Sequence, residues 1–181
     1  MLKKILIAAG LLVVLCIVAF AAAVMLMPTD FRIEREITIN KPKAEVFAYA
    51  KMLKNQNVWG PWAKKDPAMK QEFVGTDGSV GFISKWDSAK DEVGAGEQEI
   101  KKIVEGERME TQLRFKKPFE SNADSYLTTE SVSDNQTKVK WGFTGAMPRP
   151  MNLMLVFIDM DKEVGKDFDE GLNSLKTILE K

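Results

Sequence analysis

The sequence predicts an α+β fold in which a curved antiparallel sheet wraps around a long C-terminal helix, with one transmembrane helix in front. Residues 5–27 form a charge-free apolar run, residues 70–145 follow a period-two pattern, and residues 150–181 carry an apolar stripe at helical spacing. A sheet with one apolar face must bury that face against another element. Because the last helix is the only large one that the pattern offers, we expect the sheet to curve around it.

Residues 1–27 are predicted to be a membrane anchor, a short cytoplasmic stub followed by a helix over residues 5–27. Such a helix would be about 35 Å long, and the hydrocarbon core of a bilayer is about 30 Å thick. Lys3 and Lys4 precede the apolar run, and such basic residues favour the cytoplasmic side. The chain is therefore predicted to be a single-pass protein of the bacterial inner membrane, with residues 28–181 in the periplasm.

A cleaved signal peptide is the alternative interpretation of this segment, since Ala21, Ala22 and Ala23 could form a cleavage site. The apolar run continues beyond these alanines to Met27. A mature protein would already be polar at that point, so the pattern favours an uncleaved anchor.

The composition excludes several classes of function. The chain of 181 residues has 26 basic residues, 26 acidic residues and a net charge of zero, so it is a poor candidate for binding nucleic acid, which requires a basic surface. It has no histidine and a single cysteine, Cys16. This excludes Ser-His-Asp and Cys-His catalysis, disulfides within the chain, and zinc sites that use imidazole. We expect neither a metal nor another cofactor.

Residues 28–181 are predicted to form one domain. Alternating apolar residues predict a first strand over 31–40, and Pro42 begins a helix that is expected to end near 54–57. Turn sequences then separate further strands, near 70–74, 80–87, 96–104, 108–115, 124–132 and 138–145. A helix of about eight turns is expected from Pro150 to the C-terminus.

Arg35 shares strand parity with three apolar residues, Ile33, Ile37 and Ile39. Two alternatives follow from this position. The side chain points inward and pairs with a carboxylate or a ligand headgroup, or a bulge turns it outward to solvent.

This domain contains several short motifs: Ile39-Asn40-Lys41-Pro42, Glu45-Val46-Phe47, Trp59, Trp62, Gly81–Trp86 and Gly94-Ala95-Gly96-Glu97, followed by the closing helix. Together they resemble the START-like, or SRPBCC, superfamily, in its polyketide cyclase/dehydrase and lipid-transport branch. The resemblance covers residues 31–181. It implies a helix-grip fold, a seven-stranded antiparallel sheet that grips a C-terminal helix, with an apolar cavity between them. It also implies hydrophobic ligands such as lipids, sterols or polyketides, and a minority of members are enzymes.

Eight side chains are candidates for the wall of such a cavity: Trp59, Trp62, Phe82, Trp86, Trp141, Phe143, Met151 and Met154. The strand residues among them share a face with other apolar residues, and aromatic walls supply contact area and orientation to a ligand. The two tryptophans at 59 and 62 are expected in a loop, where they either cover the cavity mouth or rest at the level of the lipid headgroups. The methionines flank the start of the last helix. The alternative for each residue is that it belongs to a solid core.

Three functions remain open on the sequence. The first is a membrane-tethered carrier or sensor of a lipid-like or polyketide-like molecule, since a tether keeps the domain beside the membrane in which such molecules dissolve. The second is a cyclase- or dehydratase-type enzyme, for which Tyr49 and Tyr126 are the available phenols. The third is a non-catalytic envelope interaction module with a closed cavity. No catalytic residue is assigned, because Glu97 and Glu99 are typical of a solvated strand face. No protein partner is predicted.

Overall fold

A computed structural model describes residues 1 and 3–181 in full and residue 2 as backbone only. The helices are α1 (Leu2–Leu26), α2 (Lys43–Ala50), α3 (Leu53–Trp59), α4 (Trp62–Lys65) and α5 (Met160–Leu179), with a 3-10 helix at Met151–Val156. The strands are β1 (Asp30–Ile39), β2 (Lys70–Val74), β3 (Ile83–Asp87), β4 (Ala95–Val104), β5 (Arg108–Lys117), β6 (Ser121–Ser133) and β7 (Gln136–Ala146).

The seven strands form one antiparallel sheet in the order β1-β7-β6-β5-β4-β3-β2. Strands β2 to β7 follow one another as neighbours, and β1 closes the order beside β7. The sheet presents one face to α5. This arrangement of a curved sheet and a C-terminal helix is the predicted helix-grip fold, and it confirms the fold class.

The closed core lies at one end of the sheet, beneath the second half of α5. Leu172, Leu175 and Leu179 of α5 pack there against strand residues such as Ile39 and Val139, and each is buried. Helices α2 and α3 complete this end with Val46, Ala50, Leu53 and Trp59. The period-two pattern of the strands and the helical spacing of α5 therefore meet in one apolar layer.

The helices between β1 and β2 extend further than the sequence predicts. Instead of a polar stretch that ends the first helix, residues 53–59 form α3, and Trp62 begins α4. The cause is a tertiary cap: Asp77 accepts hydrogen bonds from the backbone N–H groups of Leu53 at 2.9 Å and Lys54 at 3.1 Å. These are donors that the first turn of a helix leaves unpaired.

The C-terminal helix is interrupted, so the prediction of one continuous helix from Pro150 is wrong. The 3-10 helix ends at Val156, and α5 begins at Met160. The Asp159 side chain caps α5 by accepting from the backbone N–H of Lys162 at 3.0 Å. Because Asp161 follows in the first turn, where acidic groups favour the helix dipole, residue 159 is a strong helix start.

Arg35 follows the inward alternative. Its guanidinium reaches α5 and donates hydrogen bonds to the Asp161 carboxylate at 2.8 Å and to Asp169 at 3.3 Å. Gly165 provides the space, because a Cβ at this position would overlap the guanidinium. The charge is therefore compensated by carboxylates at the edge of the closed core.

Helix α1 is long and apolar enough to cross a membrane over Lys3–Leu26, and its apolar side chains are exposed. Its 25 residues correspond to about 37 Å. An N-terminal signal sequence is also long and apolar. The uncleaved state of this helix and its orientation in the membrane therefore stay predictions.

Candidate functional site

A cavity of about 490 Å³ lies between the concave face of the sheet and the first half of α5. It occupies the end of the sheet opposite the closed core. Strand side chains form its floor, α4 and α5 form one wall, and the 3-10 helix and the β5–β6 turn border its mouth. Its volume is in the usual range of small-molecule sites, about 300–1,000 Å³.

Aromatic rings dominate the walls. Trp141 of β7 stacks on Phe168 of α5 with a centroid distance of 3.9 Å, and Trp62 of α4 meets the Trp141 ring edge-to-face at 5.7 Å. On the other side Trp86 of β3 contacts Phe115 of β5 at 5.9 Å. These pairs give the cavity two rigid apolar walls with geometries that aromatic rings favour.

Small side chains on the floor leave the space between the walls open. Strand register aligns Ala123 of β6 with Gly145 of β7, and Ser84 of β3 lies on the same floor. Larger residues at these positions would fill the volume. Gly96 has a different role: a Cβ there would lie 2.8 Å from the Trp86 ring, so the glycine lets this indole lie across β4.

A short row of neutral polar groups crosses the floor. The Ser125 hydroxyl accepts a hydrogen bond from Trp141 Nε1 at 3.2 Å, and Gln98 Nε2 donates to the Thr111 hydroxyl at 3.0 Å. Ser84 lies beside Gln98 on the same floor. Each group retains hydrogen-bonding capacity towards the cavity, since a hydroxyl has a donor and two lone pairs and an amide has both functions.

The charged groups of the cavity are mostly paired at its wall and rim. Lys65 Nζ lies 2.7 Å from Asp167 Oδ2, between α4 and α5. Lys117 Nζ lies 3.0 Å from Asp87 Oδ1 across strand ends, and the Lys117 side chain is 62% exposed. The floor therefore offers neutral groups to a ligand, and three of the five charged side chains that line the cavity, Lys85, Lys117 and Asp167, are in ion pairs.

Five of the eight candidate residues lie on the cavity wall: Trp62, Trp86, Trp141, Phe143 and Met151. Trp59 and Phe82 lie instead in the closed core, with 0% and 1% exposure. Met154 is 44% exposed on the 3-10 helix, outside the wall. The placement of 59 and 62 in one loop is thus wrong, because Trp59 ends α3 and packs inward, while Trp62 begins α4.

Four aromatic residues that line the cavity were not among the candidates: Phe31, Phe115, Phe119 and Phe168. Phe115 has the same strand parity as Leu113, which also lines the cavity, so alternation could have found it. Phe168 belongs to the apolar stripe of α5, where wall and core residues look alike in sequence. Phe31 lies at the start of β1, near the strand end where a pattern is weakest.

The tyrosines and the acidic strand residues lie away from the cavity wall. Tyr126 projects from the outer face of the sheet, where it forms a hydrogen bond with Glu34, and burial raises the pKa of its phenol. Tyr49 packs against the closed core. On the outer face Arg114 donates to Glu97 at 2.7 Å and holds the pKa of that carboxyl below its usual range. Among the side chains that the structure describes, no three metal-ligating groups cluster together.

Solved structures share this architecture at low sequence identity. Truncated norcoclaurine synthase from Thalictrum flavum aligns with a TM-score of 0.60 and 10% identity, covering 85% of this chain and 96% of its own. Ara h 8.0201 aligns with a TM-score of 0.55 and 17% identity, covering 83% and 97%. A protein from Nitrosospira multiformis aligns with a TM-score of 0.56 and 16% identity, covering 81% of this chain and 94% of its own.

Neither a family model nor a curated protein matches the sequence. The structural likeness, at identities below one fifth, concerns the fold alone. The chain therefore has a helix-grip fold, which it shares with these solved structures.

Proposed function

We propose that this protein binds a hydrophobic small molecule in the 490 Å³ cavity while α1 tethers the domain to a membrane. The observation that carries the proposal is the cavity itself: a space of this size between two aromatic walls favours an apolar ligand over a solid core. The lipid-transport and polyketide branch suggested by the sequence motifs is consistent with such a ligand. The tether would raise the concentration of the domain beside the membrane in which the ligand dissolves.

The wall chemistry narrows the ligand class. Flat apolar rings would pack between Trp141 and Trp86, and the ligand would place a neutral polar group near Ser84, Gln98 and Ser125. A buried ion would lack a free counter-charge on this floor and would be strongly disfavoured there. The proposed ligand is therefore mainly apolar, with one or two hydroxyl, carbonyl or amide groups.

An enzymatic function has weaker support. A norcoclaurine synthase structure with dopamine and hydroxybenzaldehyde bound aligns with a TM-score of 0.59 and 10% identity, so this fold accommodates a synthase in that protein. In the present chain the two tyrosines lie off the cavity wall, and the Asp167 carboxylate on the wall is paired with Lys65. We therefore propose a binding protein rather than a catalyst.

A cavity-filling variant tests the binding function. Ala123→Phe would place a ring into the space from the floor of β6, while Asp124→Phe adds the same ring one residue along, on the outer face. We expect detergent-extracted wild type and Asp124→Phe to retain a co-purifying apolar molecule in mass spectrometry, and Ala123→Phe to lose it. Absence of any such molecule from the wild type, or equal retention in Ala123→Phe at equal folded fraction, would contradict the proposal.

A further inference from the structure

The end of α1 is held by two side chains from the segment before α5. Arg149 donates from Nε to the Val24 carbonyl at 3.0 Å and from Nη2 to the Met25 carbonyl at 3.1 Å. Asn152 donates from Nδ2 to the carbonyls of Val24 at 3.0 Å and Met27 at 3.1 Å. The last carbonyls of a helix have no partner within the helix, so this clamp satisfies groups that α1 leaves open.

The same segment forms one side of the cavity mouth. Met147, Pro148 and Met151 line the cavity, and Met151 lies between the two clamp residues. The opposite side is formed by the β5–β6 turn, where Phe119 lines the cavity while 71% of its surface is exposed. The mouth is therefore next to the point where α1 ends.

Apolar side chains are exposed on the two segments that border this mouth, the β5–β6 turn and the 3-10 helix with the residue that follows it. Phe157 and Phe119 are the two most exposed phenylalanines of the chain, at 87% and 71%, and Val156 is 58% exposed. Met151 and Met154 add partly exposed surface on the 3-10 helix. Exposed rings of this kind on a soluble surface mark an interaction site, and at a bilayer interface they insert among the headgroups and upper acyl chains.

We propose that the cavity mouth docks on the surface of the membrane that α1 spans, so that the ligand moves between bilayer and cavity without crossing water. The occupant of this surface is the lipid interface itself. Two observations carry the assignment: the clamp joins the mouth to the end of a membrane-length helix, and exposed phenylalanines lie on both segments that border the mouth, Phe119 in the β5–β6 turn and Phe157 directly after the 3-10 helix. The proposal rests on the proposed function, because it requires α1 to be the membrane tether.

Single labels on the full chain in phosphatidylcholine vesicles test the docking. In a Cys16→Ala background, Phe119→Cys and Phe157→Cys each carry a polarity-sensitive fluorophore, and Val132→Cys is the matched control. Val132 is 53% exposed near the other end of β6, about 36 Å along the strand from Ser121. Some vesicles also contain phosphatidylcholine with a nitroxide on its acyl chain, which quenches only fluorophores that enter the bilayer.

We expect a blue shift and nitroxide quenching at positions 119 and 157, and neither effect at position 132. Quenching at 119 and 157 no stronger than at 132 would overturn the proposal. A blue shift without quenching, accompanied by cross-links between chains, would also overturn it, because the surface would then be covered by a second copy.

The clamp is tested in the same assay. Arg149→Met removes two donors but leaves buried Asn152 in place, and Lys102→Met removes an exposed charge towards the other end of the sheet. We expect Arg149→Met to lose part of the quenching at position 157, and Lys102→Met to lose none. Unchanged quenching in Arg149→Met, and in the double variant with Asn152→Leu, would overturn the clamp as the element that orients the mouth.

This assay separates docking from ligand binding. The fluorophores report contact with lipid whether or not the cavity is filled. Docking without a co-purifying ligand would contradict the proposed function alone. A ligand retained in the wild type without quenching at positions 119 and 157 would contradict the docking alone.

Discussion

Arg35 of β1 and Asp161 of α5 form a bidentate ion pair, in which Nη1 and Nη2 each lie 2.8 Å from one carboxylate oxygen. Strand β1 is an edge of the sheet, and its inner side rests on α5. The pair therefore joins the strand edge to the helix that the sheet grips. A planar guanidinium can donate two parallel hydrogen bonds to one carboxylate, and the ammonium group of a lysine cannot form this bidentate geometry.

This pair predicts a pH-dependent contribution to stability. Hydrogen bonding from Arg35 holds the pKa of Asp161 below its usual range. A carboxyl whose folded pKa is depressed contributes stability above its unfolded pKa, and this contribution disappears as the pH falls through the folded value. We expect Arg35→Met to lower the unfolding temperature at neutral pH, with a difference from wild type that shrinks below about pH 4.

Arg35→Lys is the control for this prediction. It retains the charge but loses the bidentate geometry, so its unfolding temperature at neutral pH should lie between those of wild type and Arg35→Met. A difference between wild type and Arg35→Met that is the same at all pH values would show that packing, not the ion pair, is responsible.

The contact between Gly165 and the Arg35 guanidinium predicts that Gly165→Ala destabilises the wild type but stabilises a variant that lacks Arg35. In the wild type, Gly165→Ala would push a Cβ into Arg35 and displace it from Asp161, so we expect lower stability. In an Arg35→Ala background the clash is absent, and replacing glycine by alanine inside a helix should stabilise by about 1 kcal/mol. Denaturant unfolding of the four proteins measures the coupling. Destabilisation of equal size in both backgrounds would contradict this account.

The tryptophans of core and cavity should respond differently to truncation. Trp59 is fully buried, and its replacement by alanine should destabilise the domain by about 3–5 kcal/mol. Trp86 borders open space, so Trp86→Ala loses fewer packing contacts but removes part of a cavity wall. We expect a smaller loss of stability and a larger loss of co-purified ligand for Trp86→Ala, measured by unfolding midpoint and mass spectrometry. A larger loss of stability for Trp86→Ala than for Trp59→Ala, together with a smaller loss of ligand, would place the binding site elsewhere.

Residues 28–181 are predicted to fold without α1. They contain the complete sheet, α5 and the closed core, and α1 is bound through Arg149 and Asn152 near the mouth. A truncated chain that begins at Pro28 should therefore show a cooperative unfolding transition in detergent-free buffer. An unfolded product that regains structure only in detergent or vesicles would refute independent folding.

The orientation in the membrane is predicted from the lysine pair before the apolar run. A reporter fused after Lys181 that requires export should be active, and one that functions only in the cytoplasm should be inactive. The mass of the purified chain tests the anchor in the same experiment, since cleavage after Ala23 would shorten it. The opposite reporter pattern would reverse the topology.

The strands could be predicted from the sequence, whereas the helix boundaries and part of the cavity lining could not. Alternation is a local property, so the predicted strand bounds lie within three residues of the observed ones, and the largest differences are at the starts of β3 at Ile83 and β6 at Ser121. Phe82 has the same parity as Ser84 and Trp86, and its carbonyl accepts a hydrogen bond from the backbone N–H of Ile100 at 2.9 Å. It is buried with Ile100 in the closed core, because alternation identifies the inner face of the sheet but does not separate its core end from its cavity end.

Helix α3 required information that the local pattern does not contain. Its cap, Asp77, is 24 residues from Leu53 in the chain and meets it only in the folded domain. The same limit applies to Trp59 and Trp62, three residues apart. Their assignment to core and wall depends on how α3 and α4 pack against Trp141, which lies on the seventh strand.

The aromatic group around Trp141 gives this protein a built-in optical signal. Trp59 and Trp62 meet the Trp141 ring at centroid distances of 4.9 and 5.7 Å and at angles of 75° and 85°. Indoles held so close and so steeply inclined couple their electronic transitions, which produces strong near-ultraviolet circular dichroism from a single location. Since two of these three rings border the cavity, the dichroic spectrum should report on its contents directly, without any label.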